Sequence, residues 1–187
     1  MPNSLTTEND GTYREGEPFT IRNFRSGDES AAWRLYREGL LIGQLDPFDQ
    51  ATDLERIDEV YVRRPPNHFW VAEAANLVIG TIAISQENTE IAHVRRLRVA
   101  PSWQADARVA GRLVQAATAH AREKGFLKLV LHTPVDDRRA VPLLHRLGLE
   151  FARTRTVNGR QVLEFYLSLY STPKPMDQVT SEDWRLA

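Results

Sequence analysis

The sequence contains no cysteine. That excludes disulfides, a thiol nucleophile and any thiolate metal site, and it fits a reducing compartment. Surplus charge of either sign is also missing: 24 Lys and Arg stand against 25 Asp and Glu, a formal net charge of −1. No basic excess is present to drive non-specific binding to nucleic acid. No apolar run approaches the ~20 residues that a membrane-spanning helix requires. The polar, acidic start, residues 1–18, lacks the apolar core of a signal peptide. The five histidines show neither H-x-x-x-H nor H-E-x-x-H spacing, so no metal site is expected. A cytoplasmic protein with no nucleic-acid and no membrane partner is the expectation these absences leave.

What is present is an ordinary globular composition, 42% hydrophobic and 26% charged over 187 residues, enough for one domain with a sizeable core. Residues 1–18 are polar and read as a disordered leader. Residues 19–170 carry the periodic patterns of a single domain. Residues 171–187, with Pro173 and Pro175, read as a tail.

Alternation over 19–24 predicts a short strand. Ser26-Gly27-Asp28 offers a cap for a helix whose Ala31, Ala32, Leu35, Tyr36 and Leu40 recur at helical spacing. Asp53 is placed to cap a second helix carrying Leu54, Ile57 and Val60 and ending before Pro65-Pro66. Runs 68–74 and 77–84 read as a hairpin across Ala75-Asn76, and 90–99 as a longer strand stopped by Pro101. A helix over 105–124 closes on Gly125. A strand at 127–132 follows, then a helix from Asp136/Asp137 to Leu147, and strands at 150–157 and 161–169 around Asn158-Gly159. The order predicts an α/β fold: a mixed, mostly antiparallel central sheet of about seven strands with helices on both faces.

Four segments, FWVAEAANLVIGTIAI, AHVRRLRVAP, VAGRLVQAATAHAREKGFLKLVLHT and DRRAVPLLHRLGL, stand in this order along the chain. Together they resemble the GNAT superfamily of acyl-CoA-dependent N-acyltransferases, over residues 19–169. The resemblance implies a fourth strand that splays from the fifth. Its open backbone near Leu97, Arg98 and Val99 would take the pantetheine arm as an added strand and polarise the thioester carbonyl. It also implies a helix N-terminus after Pro101 that receives the pyrophosphate. Acetyl-CoA is the implied co-substrate, and the primary amine of a small molecule or peptide the implied acceptor.

Two departures stand out. The family's phosphate loop usually reads Gln/Arg-x-x-Gly-x-Gly/Ala, since glycine lets backbone approach the phosphates. Here it runs Gln104-Ala105-Asp106-Ala107-Arg108-Val109-Ala110-Gly111, so at least one glycine is missing, and Asp106 adds a negative charge. Arg108 and Arg112 are the candidates to compensate. The family's frequent Tyr in the last helix, general acid for the leaving thiolate, falls on Leu144, which has no proton to give. Asp137 stands where an Asn is frequent.

For the base that neutralises the acceptor ammonium, the resemblance points to His93, at a position where the family often has Glu. Strict alternation puts His93 on one strand face with Arg95, Leu97 and Val99. Glu90 is a second candidate, and His132 can stand in for the missing acid; His68 and His120 read as structural. Two readings of function remain open here, an N-acetyltransferase working by direct attack in a ternary complex and a catalytically inactive binding module on the same fold. A donor with a longer acyl chain is a third and explains the altered loop least well. A homodimer is expected to form through an edge strand at 161–169.

Overall fold

The computed structural model describes residues 16–38, 51–136, 140–157 and 159–170. The strands are β1 (Thr20–Asn23), β2 (His68–Ala74), β3 (Leu77–Gln86), β4 (Ile91–Val99), β5 (Lys128–Pro134), β6 (Glu150–Val157) and β7 (Arg160–Ser168). The helices are α1 (Glu29–Glu38), α2 (Ala107–Glu123) and α3 (Ala140–Arg146). Local chemistry explains several boundaries. Ala75 and Asn76 both take positive φ, 46° and 64°, as the two-residue turn between β2 and β3 demands. Asp106 caps α2 by accepting from the Arg108 N–H. Gly125, at φ 82°, adopts the left-handed conformation just past that helix.

All seven strands join one sheet in the order β1-β2-β3-β4-β5-β7-β6. Every neighbouring pair is antiparallel except β4 and β5, which run parallel. This is the mixed, mostly antiparallel seven-stranded sheet the sequence predicts. Helix α2 packs on one face with Val109, Leu113, Ala117 and Ala121 buried at helical spacing. The sheet admits it closely at Gly80, where a Cβ would lie 3.0 Å from Leu113 Cδ1 and 3.1 Å from the Arg98 carbonyl oxygen. The other face carries α1 and the segment 54–62. There Phe69 meets Phe24 and Tyr61 edge-on, each at 5.5 Å between ring centroids. A second, smaller core gathers Leu131, Ala140, Leu144, Leu149 and Phe165 around α3.

Two expectations are corrected. The second helix is not an α-helix: Leu54–Arg56 forms a 3-10 turn and Asp58–Val62 a π turn. Asp53 does not cap it with its side chain, because that carboxylate is engaged by Arg96 and Tyr61. The strand at 161–169 is not an edge: β7 lies between β5 and β6. The hairpin folds back so that its second strand reaches β5, leaving β6 outermost. No described helix is long and apolar enough to cross a membrane.

Candidate active site

The site begins where two strands part. Parallel pairing between β4 and β5 covers only Ile91–Lys128, Ala92–Leu129 and His93–Val130. Beyond it β5 continues on β7 as far as Pro134 opposite Val162, and β4 continues on β3 as far as Val99 opposite Gly80. The edge of β4 that faces β5 therefore has no strand partner from Val94 onward, and its peptide groups open on a cleft. Val94, Leu129, Leu131, Leu149 and Leu167, with Val114 of α2, line a small apolar cavity at the vertex.

Strand β4 bends as it enters the cleft. Register slips between Thr81–Arg98 and Ala83–Arg95, and Arg96 sits at φ 55°, a bulge of two residues facing one. The bulge breaks alternation: Arg95 and Arg98 now share a face, and Leu97 and Val99 turn to the α2 side. The expected grouping of His93 with Leu97 and Val99 is thus overturned. Buried contacts hold the strained residue. Thr81 Oγ1 donates to the Arg96 carbonyl at 2.7 Å. Asp53 accepts from Arg96 Nε at 2.9 Å and also from its Nη2. The Tyr61 hydroxyl donates to the same carboxylate at 2.5 Å, and the Arg96 guanidinium lies 5.2 Å over the Tyr36 ring. Burial alone would raise the Asp53 carboxyl; Arg96 and Tyr61 hold it below the ordinary carboxylate range. Nothing in the sequence marked Asp53, Tyr61 or Thr81 as partners of Arg96. A charged residue amid a buried strand, Arg96, was the one available signal.

At the vertex, His93 and His132 approach across the strands, ring centroids 5.1 Å apart. Each is bonded to a carboxylate. His93 Nε2 lies 2.7 Å from Glu87 Oε2, and His132 Nε2 lies 3.1 Å from Glu164 Oε2. Burial pushes the His93 imidazole below its ordinary value, against the pull of Glu87. Burial also pushes Glu164 upward, but bonds from Arg155 and His132 and the charges of Arg153 and Arg155 outweigh it and bring the carboxyl down to about 2. Glu90 is not with them. It is exposed in the turn before β4, where its carbonyl accepts from Leu127 and Lys128 and starts the β4–β5 pairing.

The loop after β4 brings its candidates together differently from a glycine-rich cradle. Gln104 spends its side-chain amide on the Val99 carbonyl, at 3.1 Å. Ala107 opens α2, Val109 and Ala110 are buried in its first turn, and a Cβ on Gly111 would meet nothing within 4 Å. Asp106 is itself buried, capping Arg108 N at 3.0 Å and bonded by the Arg108 guanidinium at 2.5–3.0 Å. Its charge is thus met inside the protein. Arg112 lies 5.1 Å over the Phe19 ring and donates to the Phe19 carbonyl at 3.2 Å. Leu97 and Val99 are buried, and Arg98 is half-buried, donating to the Leu97 carbonyl at 2.9 Å. Asp137 lies outside the described residues. Leu144 is fully buried in the second core, and His145 stands edge-on to Phe165 at 5.7 Å. His68 lies tilted against Trp70 and His120, ring centroids 4.3 and 4.8 Å apart, and His120 meets Trp70 edge-on at 5.2 Å, on the α2 face.

The cleft has what an extended thioester cofactor needs. An open strand edge can extend the ladder, and an arginine pair stands at a helix start. Thr133 Oγ1, at the diverging end of β5, is buried without a hydrogen-bond partner, a polar atom with bonding capacity left over.

Comparison with known proteins agrees. The family model "Acetyltransferase (GNAT) family" matches residues 28–149. The probable N-acetyltransferase camello of Xenopus tropicalis is 30% identical over 123 residues, covering 63% of this chain and 55% of its own. The chain thus spans about half the length of that relative. Among solved structures, a putative acetyltransferase from Salmonella typhimurium with its cofactor acetyl-CoA superposes with a TM-score of 0.64 at 17% identity, covering 85% of this chain and 98% of its own. A spermidine N-acetyltransferase from Vibrio cholerae, in complex with CoA and spermine, gives 0.61 at 19% identity, covering 81% and 95%. Acetyl-CoA fits the cleft as co-substrate. With the sheet, the splayed strands and the family pattern in agreement, the chain belongs to the GNAT acetyltransferase family.

Proposed function

We propose that the protein transfers an acetyl group from acetyl-CoA to a primary amine by direct attack. The observation that carries this reading is the end of β4–β5 pairing at His93–Val130, which places two carboxylate-bonded histidines at the mouth of an open strand edge. The amine nitrogen attacks the thioester carbonyl carbon, the C–S bond breaks, and CoA leaves as a thiolate. The β4 backbone around Leu97 holds the thioester and stabilises charge on its carbonyl oxygen. His93 is the base. With Nε2 donating to Glu87, Nδ1 keeps a lone pair for the proton shed by the attacking nitrogen, and a lowered pKa leaves the ring neutral at pH 7. His132, facing it and backed by Glu164, supplies the proton to the thiolate in place of the tyrosine that Leu144 displaces. Proximity in the ternary complex supplies a further large share of the rate. The named activities of the camello relative and of the spermidine enzyme support an amine as acceptor.

The test is a thermal-shift titration with acetyl-CoA and CoA, followed by amine-dependent release of free thiol. Saturation at ~100-fold above Kd is worth about 2.7 kcal/mol of added stability, and thiol release should require amine. No shift at millimolar cofactor would refute acetyl transfer. It would favour the inactive binding module, the reading to which the start of α2, its Arg108 N–H already taken by Asp106, lends weight.

A further inference from the structure

The cleft opens on a sheet face that is rich in arginine. By register, Arg95 on β4, His132 on β5, Glu164 and Arg160 on β7, and Arg153 and Arg155 on β6 all share the face of His93. Among the described residues of this face near the vertex, the acidic groups are Glu87 and Glu164, and both are engaged. Glu87 holds His93. Glu164, its side chain only 9% exposed, takes Arg153 Nε at 3.1 Å, Arg155 Nη1 at 2.8 Å and His132 Nε2 at 3.1 Å. Asp53, behind them, is spent on Arg96 and Tyr61.

One carboxylate thus answers three cationic or ionisable groups, while the side chains of Arg153 and Arg155 stay 63% and 42% exposed. Arg95 shares the strand face of His93 and its charge acts on that imidazole, while Arg153 and Arg155 reach His132 through the shared Glu164. A polyamine brought here meets like charge, and the carboxylates that would bind it are occupied. An anionic group meets two guanidinium forks with donors to spare, held in place by the buried Glu164.

We infer that the acceptor is an amine that also carries a carboxylate, bound by Arg153 and Arg155 while its amino group lies at His93. This rests on the acetyltransferase reading and narrows its substrate class. An α-amino acid is too short, because His132 stands between the two ends: it shares Glu164 Oε2 with Arg155, at 3.1 and 2.8 Å, and its ring centroid lies 5.1 Å from that of His93. The acceptor's acid and amine are therefore several bonds apart, as in an acidic residue next to a free N-terminus.

The test uses a pair of acceptors differing only in charge, glycyl-glutamate amide and glycyl-glutamine amide, with spermidine as the polycation. The wild-type protein should favour the glutamate form about 10-fold in kcat/KM, the scale of one charge-assisted bond. The preference should shrink in 0.5 M salt. In Arg153→Gln/Arg155→Gln the ratio should fall to within about 2-fold, mostly through KM, and single variants should fall between. Arg56→Gln, on the exposed 3-10 turn, is the control and should keep the wild-type ratio. A wild-type ratio near one, or a preference for spermidine, overturns the proposal and leaves acetyl transfer standing.

Binding gives a readout free of turnover. Calorimetry with N-acetyl-glycyl-glutamate amide in the presence of CoA should show binding that the double variant loses, against none for the glutamine form. Equal binding of the two forms, or of neither, overturns the carboxylate site even if no acceptor is acetylated. Failure of acetyl-CoA to bind or to release thiol with any amine would instead count against the transferase reading itself.

Discussion

Replacing Asp53 by Asn should damage stability and catalysis together, because this carboxylate ties Tyr61 of the segment 54–62 to the Arg96 bulge of β4. Its partner Arg96 has a side chain only 5% exposed, and Asp53 itself 14%. Removing one member of such a pair strands the other and typically costs 3–5 kcal/mol. Asn keeps one acceptor oxygen and Tyr61 retains a partner, so about 3 kcal/mol is the expectation. For a domain of this size each kcal/mol moves the midpoint by roughly 2–4 °C, giving a fall of about 6–12 °C. Function follows from φ 55° at Arg96: a side chain there is strained, and Asp53 and Thr81 hold it in that conformation. A loosened bulge misplaces the peptide groups next to Leu97, so kcat should fall about 10-fold with little change in cofactor affinity.

The effect has a sign in pH. Asp53 is held below its ordinary value, so its contribution is full above pH ~4 and is lost as pH falls through the lower folded value. The gap in melting temperature between the wild-type protein and Asp53→Asn should therefore stay constant from pH 7 down to about 4 and narrow only below. Thermal melts across pH, together with steady-state thiol release, check all three. A variant melting within 2 °C of the wild type, with unchanged kcat, would refute the coupling.

His93→Gln should lower kcat/KM about 100-fold, and its pH–rate profile should lose an acidic limb that in the wild type lies below pH 6.5, since burial depresses the histidine. Asp106→Asn keeps a helix cap of equal quality but removes the charge and releases the Arg108 guanidinium. Acetyl-CoA should bind about 3- to 10-fold tighter by calorimetry, with a melting point close to wild type. Gly80→Ala drives a Cβ to 3.0 Å from Leu113 Cδ1 and 3.2 Å from Val109 Cγ1, and chemical denaturation should show a loss of about 1–3 kcal/mol.

Much of the fold was legible because its signals are local. The Ala75-Asn76 turn, the helix expected over 105–124 and its stop at Gly125 rest on signals that act within a few residues. The structure returns each where the sequence placed it. The errors lie where distant partners decide. Asp53 had the right chemistry for a helix cap, but a buried guanidinium 43 residues away offered a stronger bond, and the α-helix expected there became a 3-10 turn and a π turn. The strand 161–169 is expected at an edge, and only the pairing with β5 shows it internal.

The site divides in the same way. His93 and His132 can be named from the strand pattern and the family resemblance, and Leu144 from that resemblance alone. Their relation cannot. The 5.1 Å approach of the two rings, the carboxylates Glu87 and Glu164 bonded to them, and the arginines of β6 bonded to Glu164 belong to four strands and the turn between β3 and β4. By itself the sequence determined the elements, their order and the chemical types available, since propensity and periodicity are properties of neighbouring residues. The tertiary structure decided which face each side chain meets. One extra residue at Arg96 breaks the period of two in β4, and a bulge is set by what packs across the sheet.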